Sequence, residues 1–331
     1  MSAQINFEKL AKQLRLPVMA APLFIISVPK LVIAQCKAGI IGSFPALNAR
    51  DKLNAEPVLD KWLKEITEEL DKYNQQNPDK PAAPFAVNQI VHRSNSRLSR
   101  DIDICVKWEV PLWITSLGAR EEVNEAAHSC GALVFHDVIN NTFAKKAIKK
   151  GADGLIAVAS GAGGHAGNLS PFALVDEIRS WFNGPLLLSG SISTGQSLMA
   201  ALALGANLGY IGTPFIATKE ANADQKYKEM LIACSSENII NSSLFTGVPG
   251  NYLGPSIEAA GLDVTNLPVA GPDTMNFDEL SNKPKAWKEI WGSGQGIRPI
   301  KSILSTENLV TRIENEFLEC KNHIKRETKI I

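Results

Sequence analysis

The chain has 331 residues, 45% of them hydrophobic, and its 34 basic residues balance 34 acidic ones. Length alone suggests two domains, although α/β barrels of about 200–250 residues are often one unit. The zero net charge removes the field that nucleic acid or an anionic membrane surface would select, and five cysteines (Cys36, Cys105, Cys130, Cys234, Cys320) without a CxxC pair or Cys/His cluster argue against a metal site or disulfide scaffold.

The first segment, "MSAQINFEKLAKQLRL", is charged throughout and has no apolar signal core. No apolar run reaches the ~18 residues of a membrane span. A soluble, cytoplasmic protein with free thiols is the expectation. Short apolar runs then alternate with helical patterns, at 17–23, 40–46, 85–90, 111–117, 132–138, 154–159, 185–191 and 208–215. Their apolarity is continuous rather than alternating, the mark of strands buried on both faces of a parallel sheet. Eight strand–helix repeats predict a (β/α)8 barrel, with an open doubly wound sheet as the alternative. An internal echo supports the repeat: "KKGADGLIAVASG" and "ALGANLGYIGTPF" both run from a helix end through a Gly-Ala-Asp/Asn turn into a strand.

After Ala221 the pattern changes. Residues 222–290 hold a helical piece around "DQKYKEMLIACS" and then a Gly/Pro/Asn-rich stretch without clear period. They are expected to form a smaller lid or substrate-side domain inserted into a barrel made of 1–221 and 291–331. A last helix at about 306–325, with Thr306 as its N-cap and a stripe of Leu309, Val310, Ile313 and Phe317, is expected to complete the outer ring.

In such a barrel the chemistry gathers where strands end. Those ends carry Ala21-Pro22, Asn88-Gln89, His136-Asp137, a glycine-rich loop at 161–167, Ser189-Gly190-Ser191 and Gly212-Thr213. Small residues and hydroxyls after the seventh and eighth strands, each followed by a helix start, predict a phosphate-binding pair of loops. In "GAGGHAG" the glycines leave His165 without bulky neighbours. That placement predicts a catalytic or substrate-binding imidazole under a flat ring system, since an imidazole accepts a proton near neutral pH. The same loop imitates a dinucleotide fingerprint, but it follows the sixth strand and lacks a Rossmann context. Asn88 is expected to meet a ring's amide edge or to form a turn. His136 is read either as core or as ligand-facing, while His92, His128 and His323 are expected to be solvated.

The segments "PVMAAPLF", "CKAGIIGSFPALNAR", "PFAVNQ", "GADGLIAVASGAGGHAG", "LLLSGSISTGQSLMAALALGANLGYIGTPFIAT" and "WGSGQG" together resemble the nitronate monooxygenase family, formerly 2-nitropropane dioxygenases. The resemblance covers nearly the whole chain. It implies FMN as cofactor, with Ala20, Ala21, Pro22 and Leu23 against the ring, Asn88 and Asp137 nearby, and Gly163 and Gly164 lining it. Ser189, Gly190, Ser191, Gly212 and Thr213 would hold the phosphate. His165 would be the catalytic histidine, taking the α-proton of a neutral nitroalkane or positioning a nitronate, which oxygen converts to a carbonyl compound and nitrite. Three positions depart from relatives: Leu23 where many have Met, Asp137 where some have Lys, and "GSIST" in place of a GGI turn. A cation at 137 would favour the negative charge of a reduced flavin; an acid opposes it. Cousins on the same scaffold imply a second activity, FMN-dependent reduction of a quinone or enoyl thioester by NAD(P)H, and a flavin-binding sensor is a third.

Overall fold

The computed structural model describes residues 3–51, 56–269 and 290–327. In chain order its strands are β1 (Val18–Ala20), β2 (Gly42–Pro45), β3 (Phe85–Ile90), β4 (Leu112–Ser116), β5 (Leu133–Val138), β6 (Gly154–Val158), β7 (Gly164–His165), β8 (Leu186–Ser189), β9 (Leu208–Ile211), β10 (Ile239–Ser242) and β11 (Gly250–Leu253). Eight of them form one parallel sheet in the order β1-β9-β8-β6-β5-β4-β3-β2. Its two ends meet. Ala20 N–H donates to Ile41 O at 2.8 Å and Ile41 N–H to Val18 O at 3.1 Å. The sheet is therefore a closed barrel and not an open doubly wound one, and each of the eight expected runs holds one barrel strand.

Both strand faces are buried, which explains the lack of alternation. Met19, Ile41, Ile114, Phe135, Ile156, Leu187 and Leu208 fill the interior. Val87, Trp113 and Val134 face the helices on one side of the barrel, and Leu186 and Leu188 on another. The helices following the strands are α2 (Pro29–Lys37), α3 (Val58–Gln76), α4 (Leu98–Lys107), α5 (Glu121–Ser129), α6 (Asn141–Lys149), α7 (Pro171–Arg179) and α8 (Gly195–Ala203). A preceding helix, α1 (Ala3–Ala11), closes the floor, with the Phe7 ring tilted against that of Phe135 at 5.8 Å between centroids. Chemistry is thereby confined to the other end.

The two echoed turns share one device. Gly151 and Gly205 end their helices at φ +94° and +111°, a region open to glycine. Two residues on, Asp153 Oδ2 accepts Val134 N–H and Asn207 Oδ1 accepts Leu186 N–H, both at 2.8 Å. The Asp/Asn of the echo pins the start of the neighbouring strand.

After β9 comes a single turn, α9 (Thr213–Ile216), too short to cover the barrel. Then follow α10 (Gln225–Ala233), β10, β11 and α11 (Gly254–Ala259). Residues 270–289 of the expected insertion lie outside the described residues. The strands β10 and β11 were not legible as such because each is four residues of mixed polarity without a period to detect. Tyr227 and Leu231 of α10 share a core with Ile26, Leu31, Ile216, Ile297 and Ile300, so this region packs directly on the barrel's own loops.

The eighth outer position is taken by α12 (Thr306–Glu327), which packs on α8 and α2. Leu309, Val310 and Ile313 are buried, as the stripe predicts. The cap is Ser305, whose Oγ accepts Asn308 N–H, and not Thr306: Glu220 Oε2 takes both the N–H and the hydroxyl of Thr306. A carboxylate there also suits the positive helix end. Among the described residues no helix is long and apolar enough to cross a membrane, and no cluster could hold a metal ion.

The crossing of α8 and α12 depends on Gly195, where an added Cβ would run into the backbone of Glu316 and Phe317. Gly195→Ala is expected to push α12 outward and cost about 3 kcal/mol, read as a lowered midpoint in urea denaturation.

Candidate active site

At the open end of the barrel the interior turns polar. Asn88, Ser116 and Asp137 end three adjacent strands and form a directional hydrogen-bond line. Asn88 Nδ2 donates to Ser116 Oγ at 2.7 Å and to Ile114 O at 3.3 Å. Ser116 Oγ–H donates in turn to Asp137 Oδ2 at 2.6 Å. Asp137 Oδ1 is excluded from solvent and has no hydrogen-bond partner. Burial pushes the Asp137 carboxyl up to about 6, against the opposing effect of the Ser116 bond. Tyr210, on the interior face of β9, is raised well above its ordinary value by burial and by the Asp137 charge.

The loop carrying His165 is not a free loop. Gly164 and His165 form β7, which pairs antiparallel with β11, His165 opposite Gly250 and Gly164 opposite Asn251. Ala166 N–H donates to Pro249 O at 3.2 Å, and Asn251 Nδ2 donates to Ala162 O at 2.7 Å. Asn251 is itself held through Oδ1 by Asn241 Nδ2 at 2.9 Å. His165 stays half-buried at the mouth, and burial lowers its proton affinity, so its imidazole is neutral at pH 7.

The glycines of this loop serve the chain more than they serve an open space. A Cβ on Gly163 would lie 2.7 Å from Gly294 N, and one on Gly161 would strike Ser191 Oγ. Only Gly164, at φ +65°, has no neighbour within 4 Å of that position. The packing partner is the segment 291–296. Gln295 N–H donates to Gly161 O and Gly294 N–H to Thr213 Oγ1, both at 2.9 Å. Ser293 N–H donates to Asn251 O at 3.1 Å, which joins that segment to β11.

The two loops expected to bind phosphate lie together here. Thr213 Oγ1 accepts a backbone N–H, which leaves its own proton to donate outward. Ser191 holds φ +56°, a strained value for a non-glycine residue, and is packed against Gly161 and Gly296. The start of α8 is a different matter. Ser197 Oγ accepts Ser193 and Thr194 N–H, and Glu316 accepts Gly195 N–H, so this helix end is already satisfied and is no anion site. At the first strand, Leu23 Cδ2 and Ala21 Cβ approach Gly212 within 3.2–3.4 Å of a virtual Cβ, which brings the Ala20–Leu23 turn beside the eighth-strand loop.

His136 resolves as core. It lies on the opposite face of β5 from Asp137, buried, with Nδ1 2.6 Å from Thr115 Oγ1. His128 pairs with Asp153 at the surface, His92 is half-buried beside Ser94, and His323 is exposed. Ser116, Tyr210 and Asn251 are the site-forming residues that sequence reasoning passed over, and the 291–296 segment, "WGSGQG", entered it only as a motif of the resemblance, without a role. Ser116 had the same signal as Asn88, a polar residue at a strand's C-terminal end. Asn251 had none, because its role comes from a strand pairing across 85 residues of chain.

The sequence profile described as nitronate monooxygenase matches residues 7–316. The chain belongs to the nitronate monooxygenase family. A nitronate monooxygenase of Paraburkholderia phytofirmans is 24% identical over 345 aligned residues, covering 91% of this chain and 92% of that protein. For two further curated relatives the match spans only 62% and 56% of their length. Among solved structures, nitroalkane oxidase from Streptomyces ansochromogenes superimposes with a TM-score of 0.77 at 22% identity, covering 95% of this chain and 99% of that one. FabK from Thermotoga maritima gives 0.74 at 21% identity, covering 96% and 98%.

The position of His136 carries a pH signature. Burial lowers it from 6.5 to about 4, so the unfolded chain takes up a proton that the folded protein refuses. Its contribution to stability therefore falls as pH drops from 6.5 toward 4, by up to about 3 kcal/mol. Asp137, raised from 3.8 to about 6, works in the opposite sense. His136→Gln keeps a partner for Thr115 and is expected to shrink the loss of stability between pH 6.5 and 4, measured by urea unfolding at each pH.

Proposed function

We propose that the chain binds FMN at the barrel mouth and oxidises small nitroalkanes and their nitronates with oxygen, giving a carbonyl compound and nitrite. The observation that carries this reading is the neutral, strand-held His165 beside the glycine strip in a member of the nitronate monooxygenase family. The polar groups present fit the cofactor. Asp137 Oδ1 is a buried polar atom in want of a partner, Asn88 Oδ1 is left unused by its neighbours, and Thr213 has a proton to give. Ser189, Gly190, Ser191, Gly212 and Thr213 would take the phosphate. Ala20, Ala21, Pro22, Leu23, Asn88, Asp137, Gly163 and Gly164 would border the ring. Residues 222–269 and 291–296 would wall the substrate side, within a cytoplasmic enzyme. When bound, FMN supplies an electron acceptor that oxygen can regenerate.

The chain's own groups do the rest. His165, neutral at pH 7, accepts the α-proton of a neutral nitroalkane at the ring nitrogen that faces the mouth. A preformed nitronate has already lost that proton, and the imidazole then serves only to orient it. The β7–β11 pairing fixes the imidazole before substrate arrives, so the geometry is set in advance and not formed on binding.

Anaerobic titration tests the assignment. A nitronate alone is expected to bleach the bound flavin; reduction solely by NADH or NADPH would instead make the protein a quinone or enoyl-thioester reductase. His165→Ala is expected to stay yellow and to lose turnover of neutral nitroalkanes by about 10²–10⁴-fold, with a far smaller loss on nitronates. In the wild type, kcat/KM for a neutral nitroalkane should fall on acidification with a midpoint below the ordinary histidine value of 6.5, because burial holds the imidazole neutral to lower pH.

A further inference from the structure

We propose that Asp137 is a neutral carboxylic acid in the flavin-loaded protein and donates a hydrogen bond from Oδ1 to the bound ring. The inference rests on the FMN reading above and concerns how this chain's residues meet that group. It starts from the direction of the line Asn88–Ser116–Asp137. Ser116 Oγ already accepts a proton from Asn88 Nδ2, so its own proton points at Asp137 Oδ2. Oδ2 is therefore fixed as an acceptor. A proton on this carboxyl has one place to sit, and that is Oδ1, the oxygen shielded from solvent and without a protein donor.

A carboxylate at this spot would be poorly served. It would have one hydrogen bond for two charged oxygens, where a stable buried carboxylate collects two or three. No cation compensates among the described residues. From β3 and β4 it faces Asn88 and Ser116, both neutral, and from β6 the apolar Ile156 and Val158. Across the barrel, Tyr210 is the titratable group that its charge reaches. His136 lies on the other face of its own strand, and burial lowers the proton affinity of His165. The residue as a whole is still only half-buried. A flat ring laid over it removes the remaining water and raises the cost of the charge again. The free protein already holds this carboxyl near the neutral range through burial, so ring binding moves it across that range.

By linkage, a group that must be protonated for the ring to bind makes binding depend on pH. Flavin affinity is therefore expected to weaken as pH rises through the range where Asp137 ionises in the free protein. Asp137→Asn is the matched control: its amide NH2 donates where Oδ1–H did, its carbonyl accepts from Ser116, and it does not titrate. FMN dissociation constants for both proteins are measured by fluorescence quenching from about pH 5 to 9. The ratio of wild-type to variant constants cancels the titration of the FMN phosphate. It is expected to be flat at the acid end and then to climb by up to about tenfold per pH unit above pH 6–7. Ser116→Ala, which removes the one bond that favours the carboxylate, should shift the climb to higher pH, and it serves as the reporter if the asparagine variant does not fold. A ratio independent of pH, or a climb unmoved in Ser116→Ala, overturns the inference and leaves FMN binding intact. Failure of the wild type to bind FMN at any pH overturns the earlier reading as well.

Discussion

The pairing of Gly164–His165 with Gly250–Asn251 governs the reactive end of this barrel. A loop of glycines would otherwise sample many conformations, and a base carried on it would spend little time where a substrate carbon sits. Pairing to β11 turns two residues of that loop into strand. Asn251 then adds a buried bond to Ala162 O, and Ser293 continues from the same residue toward Gly294 and Thr213. Through that sheet, the imidazole, the 291–296 segment and Thr213 are positioned by one another rather than independently.

This arrangement changes the meaning of the glycine strip. Viewed alone, "GAGGHAG" suggests space cleared for a ligand. In the fold, Gly161 and Gly163 are small because Ser191, Gly294 and Gln295 press against them, and Gly164 is the one that borders open space. Tight chain-to-chain contact on one side and an open approach on the other coexist within this one loop.

The barrel was legible because its physics is local. Each strand is a continuous apolar run, and each repeat ends in the same glycine turn, with Asp153 and Asn207 pinning adjacent strands. Asn88, Asp137, His165 and the Ser191 and Thr213 loops were legible because barrel strand ends are where polar residues collect. What escaped was non-local. The short strands β10 and β11 have no period to detect, and the cap of α12 shifted by one residue because Glu220, 86 residues upstream, claims Thr306. The inward aim of Asp137 and outward aim of His136 also needed the register, since neighbouring strand residues face opposite ways.

The outer ring has a consequence for biogenesis. Seven of its helices follow their strands at once, but the eighth is α12, which begins more than ninety residues after β9. It seals the seam where β1 meets β9 and fastens to Arg15, near the beginning, through Glu307 and Glu314. During synthesis the seam stays uncovered until α12 has been made, so an apolar flank of the barrel is exposed while the residues between β9 and α12 are translated. Closing it joins Arg15 to Glu307 and Glu314 in one late, long-range step.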